Sequence, residues 1–156
     1  MQEWPFEDFY KKEYASVLAL ARVLIGDRTR AEDVAHDAFA VTFERWDDLD
    51  NPAGWVRRVV VNNARSAWRR RLAERKAIAR LESEVRLGND LPDDTEEFWG
   101  VVRSLPTRQA QAIALFYLED LPVSEIAEVI GCAESTARVH LMRGRQNLAK
   151  AMEDIR

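Results

Sequence analysis

Val123-Ser124-Glu125-Ile126-Ala127-Glu128-Val129-Ile130, then Gly131-Cys132-Ala133, then Glu134-Ser135-Thr136-Ala137-Arg138-Val139-His140-Leu141 is the stretch on which the fold turns. A short amphipathic helix, a glycine-led turn and a second amphipathic helix make a helix-turn-helix. Ala127 is small where two helices must cross closely, and Gly131 supplies the backbone freedom of a tight turn. Ile126, Ile130, Ala137 and Leu141 would seal the pair against the preceding helix. The second helix would then lie in a DNA major groove. Its outer residues Glu134, Ser135, Thr136, Arg138, Val139 and His140 would reach base edges, with Arg143 and Arg145 placed for phosphates. A helical hairpin that merely packs would show the same apolar spacing, so the motif alone leaves both readings open.

Working outward, the chain reads as helical almost throughout. Phe6, Phe9, Tyr10, Tyr14, Val17, Leu18, Ala21, Leu24 and Ile25 recur at steps of three and four until Gly26 stops the helix. Thr29-Arg30-Ala31-Glu32 fits a capping box, and Val34, Ala35, Ala38, Phe39, Thr42, Phe43 and Trp46 continue that second helix. Asn51-Pro52 starts a third, lined by Trp55, Val56, Val59, Val60, Ala64, Ala67 and Trp68. Periodicity is lost around Gly88–Asp94. Thr95 and Thr107 then fit as caps of two further helices that precede the motif. No strand-like alternation of useful length appears. The expected fold is all-α: two small helical domains, 1–80 and 95–156, joined by a flexible acidic linker, 81–94.

Net charge is −4, which at first disfavours a nucleic-acid binder, but the charge is segregated. Residues 81–100 carry one Arg against seven acids, whereas Arg57 to Arg80 holds nine basic residues and one acid. That block is an electrostatic footprint. No apolar run approaches the roughly 18–20 residues of a membrane span, and the N-terminus lacks a signal-peptide layout. One cysteine, Cys132, excludes an internal disulfide framework and a multi-cysteine zinc site. His36 and His140 are the only histidines. These features predict a soluble intracellular protein that works by binding, without cofactor or metal.

Basic residues interleaved with aromatics over Trp55–Arg80 suit single-stranded nucleic acid, where cations hold phosphates and aromatic faces accept unstacked bases. Trp55 and Trp68 could equally be core residues, and Arg69-Arg70-Arg71 a solvated helix end. Asp33, His36 and Asp37 share helical offsets that could serve a metal, but surface carboxylates on a capped helix are commonplace. Cys132 reads as a small packing residue.

Two blocks together resemble the extracytoplasmic-function (ECF) sigma factors of bacterial RNA polymerase, with a likeness to the sigma-E type. Ala31-Glu32-Asp33-Val34-Ala35-His36-Asp37-Ala38-Phe39 is similar to region 2.1–2.2. Asn51-Pro52-Ala53-Gly54-Trp55-Val56-Arg57-Arg58, with Asn62 and Arg69-Arg70-Arg71, is similar to regions 2.3–2.4. Leu105-Pro106-Thr107-Arg108-Gln109 and Ser124–Glu128 resemble region 4.1, and Glu134–Leu141 the region 4.2 recognition helix. The chain departs from the family pattern at His36, Ser66, Ala133 and His140. Ala133 replaces a frequent capping Ser, a loss of about 0.5–2 kcal/mol of cap energy. The extra domains of primary sigma factors and the C-terminal extensions of some ECF groups are expected to be absent.

The resemblance implies a non-enzymatic, cytoplasmic factor whose partners are the polymerase core (clamp helices and flap), promoter DNA and an anti-sigma factor. It implies core docking through Asp33, Val34, His36, Asp37, Phe39 and Phe43. It implies −10 and single-strand binding through Asn51, Trp55, Arg57, Arg58, Asn62, Arg65, Arg69, Arg70 and Arg71. It implies −35 reading through Glu134, Ser135, Thr136, Arg138, Val139, His140 and Arg143. The acidic linker would thread the RNA exit path. Its 14 residues reach at most about 46–50 Å, enough to set two contacts more than one turn of DNA (about 34 Å) apart. The reading requires that the two bundles can separate. The alternative is a stand-alone helix-turn-helix regulator, which would dimerise to read paired half-sites.

Overall fold

The computed structural model describes residues 5–78 and 93–155, with side chains for 5–66 and 95–154. The expected linker 81–94 therefore falls almost wholly outside the described residues. The described residues form seven α-helices and one short 3₁₀ turn: α1 Phe6–Ile25, α2 Arg28–Glu44, the turn Trp46–Asp48, α3 Pro52–Ile78, α4 Asp93–Ser104, α5 Thr107–Tyr117, α6 Val123–Ile130 and α7 Glu134–Ile155.

The glycine stops hold. Gly26 (φ 84°) and Gly131 (φ 83°) both adopt the left-handed conformation, and their N–H groups donate to the carbonyls of Arg22 and Ala127. The Asn51 cap also holds, its Oδ1 accepting from the Gly54 N–H at 3.1 Å. The Thr29 capping box does not form. Asp27, two residues earlier, caps α2 by accepting from the N–H groups of Thr29 (2.9 Å) and Arg30 (3.3 Å). A carboxylate also suits the positive end of the helix dipole, and Glu32 is left to pair with Arg28. Thr107 is likewise the first residue of α5, with Pro106 at the cap position, and α4 starts at Asp93, before Thr95.

α1, α2 and α3 pack as one bundle around Val17, Leu20, Ala35, Val56 and Val60. An edge-to-face aromatic group of Phe6, Phe43 and Trp46 closes one end. α5, α6 and α7 pack around Ile113, Leu115, Ile126, Ala137 and Leu141, all nearly inaccessible to solvent. Burying each large aliphatic side chain contributes about 1.5–3 kcal/mol. Gly144 lets α7 lie close on α5: a Cβ there would sit 3.0 Å from Ile113 Cγ1.

The two bundles, expected to stand apart, are closed on each other. α3 packs against α6, and α1 against α4 and α5, so that one continuous core runs through both. Three buried or half-buried polar ties fix this arrangement. Arg57 of α3 bonds Glu119, just past α5, at 2.5 Å. Arg103 of α4 donates to the Val23 carbonyl at the end of α1 (3.1 Å), where a cation complements the helix dipole. Gln111 of α5 donates to the Val61 carbonyl of α3 (3.3 Å) and accepts from Arg108.

Candidate nucleic-acid interface

The helix-turn-helix presents its outer face as its periodicity predicts. Ala137 and Leu141 are buried beneath α7, while Glu134, Ser135, Thr136, Arg138, Val139 and Arg143 are exposed. Arg138 and Glu134 form an exposed i,i+4 pair at 3.2 Å. Val139 is 38% exposed, an apolar side chain available to a thymine methyl. His140 is half-buried, and burial, then the charges of Arg108 and Arg143, holds its pKa below the ordinary value. Arg145 does not stand free: it bonds the Tyr117 hydroxyl (3.0 Å) and lies over the Phe116 ring at 4.5 Å.

The flank of α3 is different. Asn51, Arg58 and Asn62 are exposed, and Arg65 is half-buried. Arg57, expected to hold phosphate, is only 7% exposed. Its Nη2 donates to Glu13 (2.8 Å), its Nε to Glu119 (2.5 Å) and its Nη1 to the Ala53 carbonyl (3.0 Å). Burial works against this cation, but Glu119 and Glu13 outweigh it and raise its pKa above the ordinary value. In this arrangement Arg57 ties helices together. The mismatch arises because the partner carboxylates lie far off in sequence, on α1 and beyond α5.

Trp55 is half-buried, and the Arg45 guanidinium lies 4.9 Å from its ring centre. The indole Nε1 is enclosed with no acceptor, as is Arg65 Nε. Arg45 carried no signal in sequence analysis, since a single Arg after a helix end is unremarkable until the Trp is seen beside it. Trp68 and Arg69-Arg70-Arg71 lie on α3, but their side chains fall outside the described residues.

On α2 the expected docking set divides. Asp33, His36, Asp37 and Phe43 are exposed, Phe43 at 62%. Val34 and Phe39 are buried: they belong to the stripe Ala31, Val34, Ala35, Ala38, Phe39 and Thr42 that faces the bundle, and hold the fold rather than a docking surface. Among the described residues no three His, Cys, Asp or Glu groups converge as a metal site would require. No described helix is long and apolar enough to cross a membrane. Cys132 is half-buried, its N–H donating to the Ala127 carbonyl.

Comparison with known proteins bears on this geometry. Residues 9–74 match the family profile described as Sigma-70 region 2, and residues 95–148 that described as Sigma-70, region 4. The RNA polymerase sigma-E factor of Streptomyces coelicolor is 26% identical over 154 residues, covering 96% of this chain and 85% of that protein. The ECF RNA polymerase sigma factor SigW of Bacillus subtilis is 23% identical over 176 residues, covering 95% and 87%. Among solved structures, the sigma factor RpoE from Bartonella quintana, crystallised with the anti-sigma factor NepR, superposes with a TM-score of 0.73 at 21% identity, over 96% of this chain and 99% of that one. CnrH, solved with the cytosolic domain of CnrY, gives 0.72 at 22% identity over 96% and 88%. With both regions matched in order, one on the α1–α3 bundle and one on the α4–α7 bundle, the chain belongs to the sigma-70 family of RNA polymerase sigma factors, within its ECF group.

Proposed function

We propose that this sigma factor divides promoter recognition between its bundles, α7 reading the −35 duplex and the α3 flank capturing the separated −10 strand. The observation that carries the reading is the two-sidedness of α7: Ala137 and Leu141 anchor it, while Glu134, Ser135, Thr136, Arg138, Val139 and Arg143 face solvent. A helix seated that way can enter a major groove without disturbing its own core. Arg58, Arg65 and Arg69-Arg70-Arg71 would hold strand phosphates, and Asn51, Trp55 and Asn62 would border the captured base. Binding there must offset unstacking, a few kcal/mol for each extruded base.

Asp33, His36, Asp37 and Phe43 on α2 would meet the polymerase core, which performs the chemistry; this chain contributes no covalent step. Its place of action would be the cytoplasm. An anti-sigma protein is the expected inhibitor, as the structural neighbours RpoE and CnrH were each solved in complex with a second protein, named an anti-sigma factor in the RpoE complex. A stand-alone regulator would not require a region 2 bundle.

The deciding experiment is run-off transcription with purified bacterial core polymerase on a library of genomic fragments. Discrete start sites that depend on the protein are expected. Absence of any such start would sink the reading, as would a stable dimer that binds operators and ignores core.

A further inference from the structure

We infer that Arg45, at the end of α2, is the base-meeting cation of the strand site: its guanidinium, held on the Trp55 ring, receives the captured base, while Arg58 holds phosphate. The inference rests on the reading of α3 as the strand-binding flank and adds the group that tells base from backbone there. Arg45 and Trp55 meet across the turn between α2 and α3, with the guanidinium 4.9 Å from the ring centre. The backbone of Arg45 is fixed on both sides, its N–H donating to the Thr42 carbonyl (3.2 Å) and its carbonyl accepting from the Asp48 N–H (3.0 Å). The Arg45 side chain is exposed, whereas Trp55 is half-buried with its Nε1 enclosed. The indole N–H is therefore closed to a base, and what the ring carries toward solvent is the cation lying on it.

Charge decides what that cation can receive. Glu44, Asp47, Asp48 and Asp50 are exposed around it, four carboxylates to one guanidinium over residues 44–51. Among the described residues Arg45 pairs with none of the four and lies on Trp55 instead. Its N–H donors are left uncommitted, and a planar fork suits both the acceptor edge of a base and stacking on its plane. A phosphate entering this turn would meet net negative charge, whereas a base is neutral and would not. Arg58 is exposed one helical turn beyond Trp55, close enough to serve the same stretch of strand and clear of the acidic turn, so the backbone belongs there.

The test uses the full chain bound to purified bacterial core polymerase. The probe is a fluorescein-labelled single strand covering the −10 element of a promoter found by run-off transcription. Arg45→Gln should weaken strand binding by about tenfold, within the range for losing one base stack, and leave the salt slope unchanged. Arg58→Gln should weaken binding and reduce the slope by about 0.7 unit. Arg45→Lys keeps the charge without the planar fork and should not restore affinity. Replacing each base of the strand in turn by an abasic site should expose one position that matters to the wild type and no longer matters to Arg45→Gln. Circular dichroism should be the same for both Arg45 variants and the parent, because the side chain is exposed.

Full rescue by Arg45→Lys, or a salt slope that falls in Arg45→Gln, would overturn the inference by assigning Arg45 to phosphate. Unchanged affinity in Arg45→Gln, an abasic scan identical in the two proteins, or loss of helix would overturn it by assigning Arg45 to the packing of Trp55. Failure of the strand reading is separable: there Arg58→Gln also binds the strand as the parent does, whereas failure of this inference alone leaves the Arg58→Gln effect in place.

Discussion

The outer face of α7 and the flank of α3 are the two surfaces proposed for nucleic acid, and they stand in opposite relation to the rest of the chain. α7 is buried along one stripe by its own bundle, and its other side meets solvent. α3 is buried twice, once by α1 and α2 and again by α6 from the second bundle. Its buried Arg57 makes ion pairs on both sides of that seam. The outer side of α7 is therefore clear of its own bundle, whereas α3 commits Arg57 to the seam and leaves Asn51, Arg58 and Asn62 exposed.

Three substitutions sharpen this contrast. Leu141→Ala removes a side chain that is 4% exposed, at a cost of about 2–5 kcal/mol. Thermal unfolding should show it, and duplex binding should weaken with it; unaltered stability would mean that α7 is not seated on this core. Gly131→Ala places a Cβ on a φ of 83°, unfavourable by about 1–2 kcal/mol, and presses on Arg58 across the seam. It should lower stability and lengthen the distance between bundles together, and a stability loss without that lengthening would break the link between the turn and closure. Arg138→Gln touches only an exposed pair, so its stability should stay within about 0.5 kcal/mol of the parent. The salt slope of duplex binding should fall by about one unit if Arg138 meets a phosphate. An unchanged slope with altered base preference would move it to a base edge.

The elements themselves were legible because each bundle's apolar stripes follow helical spacing, and because Gly26, Asn51 and Gly131 punctuate them. The helix-turn-helix face was legible for the same reason: Ala137 and Leu141 point one way and Arg138 and Val139 the other. What the spacing could not reveal was the closure. Periodicity tells which side of α3 its own bundle buries, but Arg57 meets Glu119 across 62 positions of chain, and nothing local to either residue signals the other. Val34 and Phe39 show the converse: family likeness points to a docking surface, whereas their spacing puts them in the buried α2 stripe. At the start of α2 the competition is local: Asp27 and Thr29 lie within one turn, and the carboxylate is the better partner for a helix N-terminus.

The smallest expected effect tests how near α7 comes to phosphate. His140 is half-buried beside the charges of Arg108 on α5 and Arg143 on α7, which, after burial, hold its pKa below the ordinary value of about 6.5. Between that lowered value and the ordinary one, the unfolded chain binds more protons than the folded one. Stability should therefore be highest above the ordinary value, decline as pH falls through the window, and level off below the lowered pKa. Phosphates brought against α7 reverse the local field and favour the imidazolium. Duplex affinity, measured at fixed ionic strength on a promoter found by run-off transcription, should rise as pH falls through the same window, with proton uptake on binding. His140→Gln should flatten both dependences. If the duplex binds without regard to pH while the stability profile still bends, His140 serves the packing of α5 against α7 and does not face the DNA backbone.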